Sequence, residues 1–275
     1  MKKAVLIVLL VIVSGYLGYL LGSMNVESKS LAIFAGTAFA TPGREIIELF
    51  EEATGVKIEV QWGGSGRVLS SLKISKYGDI FLSGSHDFML MAINDGVVSS
   101  NVKVIAYLVP AIIVPKGNPK NITCLKDFAK PGVRVGMADP DYVCIGIYAR
   151  EVLEHNGLWD EVSPNIVVHA DSCEGLAALV AIGSVDAVIG WHVFHYWNPD
   201  KTDIVWLEPH QIPKISFICA ALTKYCRNKV LAELFLDFIA NSEVSKEIMR
   251  RYGYLTLEEV RNYAPYAEVP RLTPR

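Results

Sequence analysis

From Leu31 onward the chain alternates short apolar runs with segments of helical spacing, and no segment repeats another. Leu31-Ala32-Ile33-Phe34-Ala35 is a continuous apolar run of strand length. Pro42 to Ala53 instead gathers Ile46, Ile47, Leu49 and Phe50 on one side of a helix. Val56 to Gln61 alternates apolar and polar positions, the period of a strand with one buried face, and Val68 to Leu72 returns to helical spacing. Asp79 to Leu82 predicts another strand, followed by a helix through Phe88, Met89, Leu90 and Ile93. The second half continues in the same way. Strands are expected at Val133–Met137, Ile166–His169 and Val185–Gly190, and helices at Val143–His155 and Glu174–Ile182. Terminal helices are expected at Val230–Ile239 and Ser242–Met249.

This alternation predicts an α/β protein with two sheets and two chain crossovers between them. The long apolar stretch Val104–Val114 ends at Pro115-Lys116-Gly117-Asn118-Pro119, a breaker cluster that marks the expected first crossover. Ile215 to Leu222 is apolar again and carries the chain back. One lobe is therefore expected from 31–114 with 218–275, and the other from 115–217. Ahead of both, Lys2 and Lys3 precede a stretch without charge from Ala4 to Val26. Residues 1–30 read as a signal peptide or a retained membrane anchor, with everything after it outside the cell membrane. No cysteine lies near Gly22-Ser23 to take a lipid.

Composition narrows the function classes. At 275 residues with 51% apolar content, the chain can build two compact cores. Its net charge of −3 becomes −5 without Lys2 and Lys3, 24 basic residues standing against 29 acidic. With no long basic run, nucleic acid is not an expected partner. Five cysteines in an exported chain permit two disulfides and leave one over. There is no C-x-x-C pair, and His192 with His195 is the only close pair among six histidines, so neither a metal site nor a cofactor is expected.

The most informative local pattern is Trp62-Gly63-Gly64-Ser65-Gly66, a glycine-rich turn between an expected strand and an expected helix. The first amides of a helix have no partner within it, and they sit at the positive end of its dipole, so such a turn suits a small anion. Ser65 adds a hydroxyl donor there. Taken alone, the same pattern also fits an ordinary strand-to-helix turn.

Several stretches together resemble a known family. They are Phe34-Ala35-Gly36-Thr37, Gly63-Gly64-Ser65-Gly66, Gly78-Asp79-Ile80-Phe81, and Ala138-Asp139-Pro140 with Gly146-Ile147-Tyr148-Ala149. Gly157-Leu158-Trp159-Asp160, Gly175-Leu176-Ala177-Ala178-Leu179-Val180 and Arg251-Tyr252-Gly253-Tyr254 follow in the same order. The chain is similar to the molybdate/tungstate-binding proteins that feed ABC importers. The resemblance implies a two-lobed periplasmic-binding-protein fold and an oxyanion held in the interlobe cleft by hydroxyls and backbone amides. It also implies a monomer that delivers its cargo to a membrane permease.

Residue by residue, Thr37, or Ala38 after a one-residue shift, matches the first-lobe hydroxyl, and Ser65 matches the second. Ile145 and Cys173 fall at backbone-amide donors. Trp191 stands where the family usually has tyrosine, and an indole donates but does not accept. Relatives that add two carboxylates around tungsten are not matched, because Val143 and Cys173 occupy those positions. The anion is therefore expected to be bound as such, without a protein ligand on the metal. The resemblance also brings Cys144 and Cys173 to one side of the cleft, where a disulfide is expected, with buried free thiols as the alternative. Arg67 keeps sulfate, phosphate or a small organic anion open as alternatives. A hydrolase is not expected, since Ser65 lacks a Gly-x-Ser-x-Gly frame.

Overall fold

A computed structural model describes residues 30–272. The expected leader lies outside the described residues. The strands are β1 (Ser30–Gly36), β2 (Lys57–Gly63), β3 (Ile80–Ser83), β4 (Lys103–Leu108), β5 (Pro110–Pro115), β6 (Val135–Ala138), β7 (Ile166–Ala170), β8 (Ala187–Trp191), β9 (Thr202–Val205) and β10 (Ser216–Leu222). They form two five-stranded sheets, ordered β2-β1-β3-β10-β4 and β7-β6-β8-β5-β9. In the first, β1 pairs in parallel with β2 and β3, and β10 runs antiparallel to β3 and β4. In the second, β6 pairs in parallel with β7 and β8, and β5 runs antiparallel to β8 and β9. In each sheet three parallel strands are followed by one antiparallel strand next to a crossing, and a fifth strand pairs antiparallel with that one. The two lobes share a topology that the sequence does not show as a repeat.

The alternation of β2 appears as alternating exposed and half-buried positions, as expected for an edge strand. Apolar except for Ser83, β3, β6 and β8 are buried throughout. Helix Ala40–Thr54 turns Ile46, Ile47 and Phe50 into the first lobe and ends on Gly55, whose left-handed conformation (φ 68°) terminates the helix.

The lobe boundaries differ from the expected ones. The apolar stretch Val104–Val114 is two strands in two different sheets, so the chain crosses at Val109 and not at 115–119. Both strands are largely apolar, and only Pro110, the first residue of β5, punctuates the passage between them. The Pro115–Pro119 cluster is instead a turn inside the second lobe, where the Gly117 amide donates to Asp203 at 2.7 Å. The return strand β10 begins at Ser216. The C-terminal stretch does not stay with the first lobe: Val260, Ala264 and Ala267 join the second lobe's outer core with Ile112, Phe128 and Ile215. Tyr263 stacks on Trp206 with ring centroids 4.2 Å apart.

His192 fastens these passages together. It is 1% exposed, its Nδ1 accepts from the Val109 amide at 3.2 Å, and its Nε2 donates to the Gly253 carbonyl at 2.9 Å. His195 bonds separately to the Thr202 carbonyl, so the pair serves two structural sites. Among the described residues no cluster of three potential metal ligands occurs, and no helix is long and apolar enough to cross a membrane.

Burial pushes His192 down to about 4 from its ordinary 6.5, against hydrogen bonds to Gly253 and Val109 that favour the charged form. Between those two values the unfolded chain binds a proton that the folded chain refuses, so stability falls as pH drops through that window. We expect thermal midpoints to decline from pH 7 to pH 5. His192→Gln should start lower yet decline less steeply, and parallel slopes would remove His192 as a cause.

Candidate functional site

The three parallel strands of each sheet end at the interface between the lobes, and each leads into a helix there. Gly36, Gly63 and Ser83 close β1, β2 and β3, and helices Ala40–Thr54, Ser65–Ser75 and His86–Asn94 follow. Ala138 and Ala170 close β6 and β7, leading to helices Cys144–His155 and Cys173–Ala181. In an α/β protein this end of the sheet is where ligands sit. The helix starts at Gly64, Ser85 and Val143 have no side-chain cap, so their first amides remain to be matched by other groups.

The five residues expected at the site come together here. Thr37 Oγ1 accepts from the Cys173 amide across the interface at 3.0 Å. Ser65 Oγ accepts from the Gly84 amide at 3.0 Å. Both hydroxyls are buried, and among the described residues neither donates a hydrogen bond of its own. The Ile145 amide lies in the first turn of helix Cys144–His155, beside the Cys144 and Cys173 thiols. Trp191 is fully buried, its ring edge-on to Tyr148 with centroids 4.9 Å apart, and its indole N–H has no partner. All five cysteines are free. Cys144 and Cys173 do meet, with sulfurs 3.7 Å apart, but as thiols and not as the expected disulfide.

Other contributors lay outside the expected set. Gly84 supplies an amide, and a Cβ there would stand 2.8 Å from Cys144 Sγ. Ser85 is buried with an unpartnered hydroxyl. Ser83-Gly84-Ser85 is a second strand-to-helix turn of glycine and serine, the same signal that marks Gly63–Gly66. Tyr148 reaches across to His86, with its hydroxyl 3.0 Å from Nδ1. Burial raises the phenol well above its ordinary range and lowers His86, so both are neutral.

Charge at the cleft is paired lobe to lobe. Arg44 makes a two-point contact with Glu174 at 2.6 and 3.3 Å. Arg67 turns to Asp171 at 3.7 Å and lies over the Tyr142 ring. Lys214 bridges Asp87 at 3.2 Å and Glu151 at 2.8 Å. Each of these cations therefore faces a carboxylate at the rim, and the interior offers hydroxyls, amides and an indole.

Residues 31–255 match the family described as bacterial extracellular solute-binding protein. The chain belongs to that family. A Haemophilus influenzae protein with a provisional binding-protein name is 31% identical over 172 residues, covering 62% of this chain and 69% of that one. The molybdate-binding protein ModA of Rhodobacter capsulatus is 25% identical over 219 residues, covering 79% of this chain and 85% of that one. The fold is also that of the periplasmic molybdate-binding protein of Azotobacter vinelandii, with a TM-score of 0.71 at 19% identity over 82% of this chain and 99% of that one. This solute-binding protein has the family's two lobes, and its site lies where they meet.

How closely they meet depends on Gly64. The Gly66 amide donates to Tyr142 O in the other lobe at 2.9 Å, and a Cβ on Gly64 would stand 2.5 Å from that oxygen and 2.9 Å from Asp171 O. Gly64 has ordinary angles (φ −58°, ψ 140°), so alanine fits its own lobe and clashes only with the other. We expect Gly64→Ala to fold with a near-normal thermal midpoint and to bind its solute at least about tenfold more weakly, roughly 1.4 kcal/mol. Calorimetry with small-angle scattering checks this, and unchanged affinity would show that this approach is not part of binding.

Proposed function

We propose that this protein captures a tetrahedral, fully deprotonated oxyanion, molybdate or tungstate, between its lobes. As a monomer outside the cell membrane, it then delivers the anion to the permease of an ABC importer. The observation that carries this reading is the orientation of the two hydroxyls. Thr37 Oγ1 and Ser65 Oγ each accept from a backbone amide, which leaves their O–H groups to donate. With the Ile145 amide and the Trp191 indole, they make a set of donors suited to a ligand that only accepts.

A dianion can be held this way because several amide dipoles and helix starts share its charge without a formal counter-ion. The pairing of Arg44, Arg67 and Lys214 with carboxylates supports the same scheme. It also weakens the case for phosphate or a carboxylate held by Arg67, since hydrogen phosphate carries a proton that needs an acceptor. The molybdate-binding names of relatives add support from outside the site. Sulfate is equally free of protons and differs in size.

Calorimetry with molybdate, tungstate, sulfate and phosphate tests the proposal. Heat is expected from molybdate and tungstate, with sulfate weaker and phosphate weakest. Heat from none of the four would sink it. Ser65→Ala should weaken binding by roughly 1.5 to 3 kcal/mol, as for hydrogen bonds to charged groups; an unaltered affinity would remove Ser65 from the site.

A further inference from the structure

The floor of the cleft holds a pair of thiols. Cys144 and Cys173 are the first residues of two helices in the second lobe, both 1% exposed, with sulfurs 3.7 Å apart. A disulfide needs the sulfurs at about 2.05 Å, and rotations of two side chains at helix starts can supply much of that approach. Cys144 Sγ also touches the first lobe at Gly84. Access to it opens only when the lobes part.

We propose that Cys144 and Cys173 form a reversible dithiol–disulfide site in the cleft floor, and that the disulfide state binds the anion more tightly. The affinity half of this inference rests on the oxyanion reading above. The oxidant is a small disulfide that enters the open cleft. Cys144 thiolate attacks one of its sulfurs and expels a thiolate. Cys173, losing its proton, then attacks Cys144 sulfur and expels the second thiolate. Two protons and two electrons leave the protein, and the oxidant is reduced to two thiols.

The surroundings of the sulfurs assign the roles. Burial alone would raise the Cys144 thiol, but hydrogen bonding led by the Cys173 S–H outweighs it and lowers the thiol below its ordinary range. Burial raises Cys173 well above that range, and its neighbour's charge adds to the rise. Cys144 is therefore the attacking sulfur and Cys173 the resolving one. The indole N–H of Trp191, left without a partner, and the Ile145 amide are donors proposed for the anion, and both lie near the Cys144 sulfur. A neutral disulfide sulfur accepts hydrogen bonds weakly and carries no charge to repel a dianion. Oxidation thus removes a charge that would compete with the ligand for these donors.

The full chain treated with oxidised glutathione or with dithiothreitol, then alkylated and mapped by peptide mass, tests the pairing without any ligand. The expected result is a Cys144–Cys173 linked peptide in the oxidised sample alone. Molybdate titration should show at least fivefold tighter binding in the oxidised state, and Cys173→Ser should show no such difference between treatments. Absence of the linked peptide overturns the proposal, and equal or weaker affinity in the oxidised state overturns its affinity half. If neither state binds molybdate, tungstate, sulfate or phosphate, the oxyanion reading fails and the affinity half with it, while the peptide map still judges the pairing.

Discussion

The site depends on one constraint: helix starts from two separate lobes must face each other across a gap too narrow for side chains. Amides at a helix start are strong donors with no partner in their own helix. Set opposite one another and shielded from water, they need either each other's acceptors or an anion. The protein uses small groups at this interface for that reason. Gly64, Gly66 and Gly84 let backbone approach backbone, and the Thr37 and Ser65 hydroxyls stand between amides of different loops. A larger side chain at Gly64 would separate the lobes before the amides came into range.

The second consequence is electrostatic. In the proposed reading, a cleft that releases an anion gains little from a full positive charge beside it, because such a pair in a low-dielectric interior would be slow to separate. Here Arg44, Arg67 and Lys214 are at the rim and are matched by Glu174, Asp171, and Asp87 with Glu151. These pairs mostly cross from lobe to lobe, so they align closure more than they stabilise either lobe. Exposed ion pairs of this kind contribute modestly and are weakened by salt. Further in, Tyr148 and His86 form a neutral contact, with the Asp87 carboxylate 3.3 Å from His86 Nδ1.

The two sheets reach the same arrangement by the same route. Each takes three parallel strands from its own segment and an antiparallel strand beside a crossing, β10 in one and β5 in the other. Because those strands lie next to the crossings at Val109 and Ile215, the hinge is continuous with both sheets. His192 ties the first crossing to Gly253 near the C-terminal passage, which restricts how the lobes turn. Val260, Ala264 and Ala267 then hold the C-terminal stretch on the second lobe.

Local chemistry made much of this legible in the chain itself. Apolar periodicity located nearly every strand and helix, since each must bury one face whatever surrounds it. The strand-to-helix turn at Gly63–Gly66 stood out as a candidate anion cradle because its chemistry is contained within a few residues. Resemblance in ordered motifs brought in Thr37, Ile145, Cys173 and Trp191. What the chain alone left undecided were relations between distant segments. The crossing at Val109 is marked in sequence only by Pro110, because the strands on either side are largely apolar and read as one run although they belong to different sheets. The passage of residues 257–272 to the second lobe depends on a small apolar surface that other segments build. The pairing of Thr37 with the Cys173 amide, the lone indole of Trp191 and the meeting of the Cys144 and Cys173 thiols arise only when two lobes close. Hydrogen-bond partners more than a hundred residues apart follow from tertiary geometry, which no local pattern encodes.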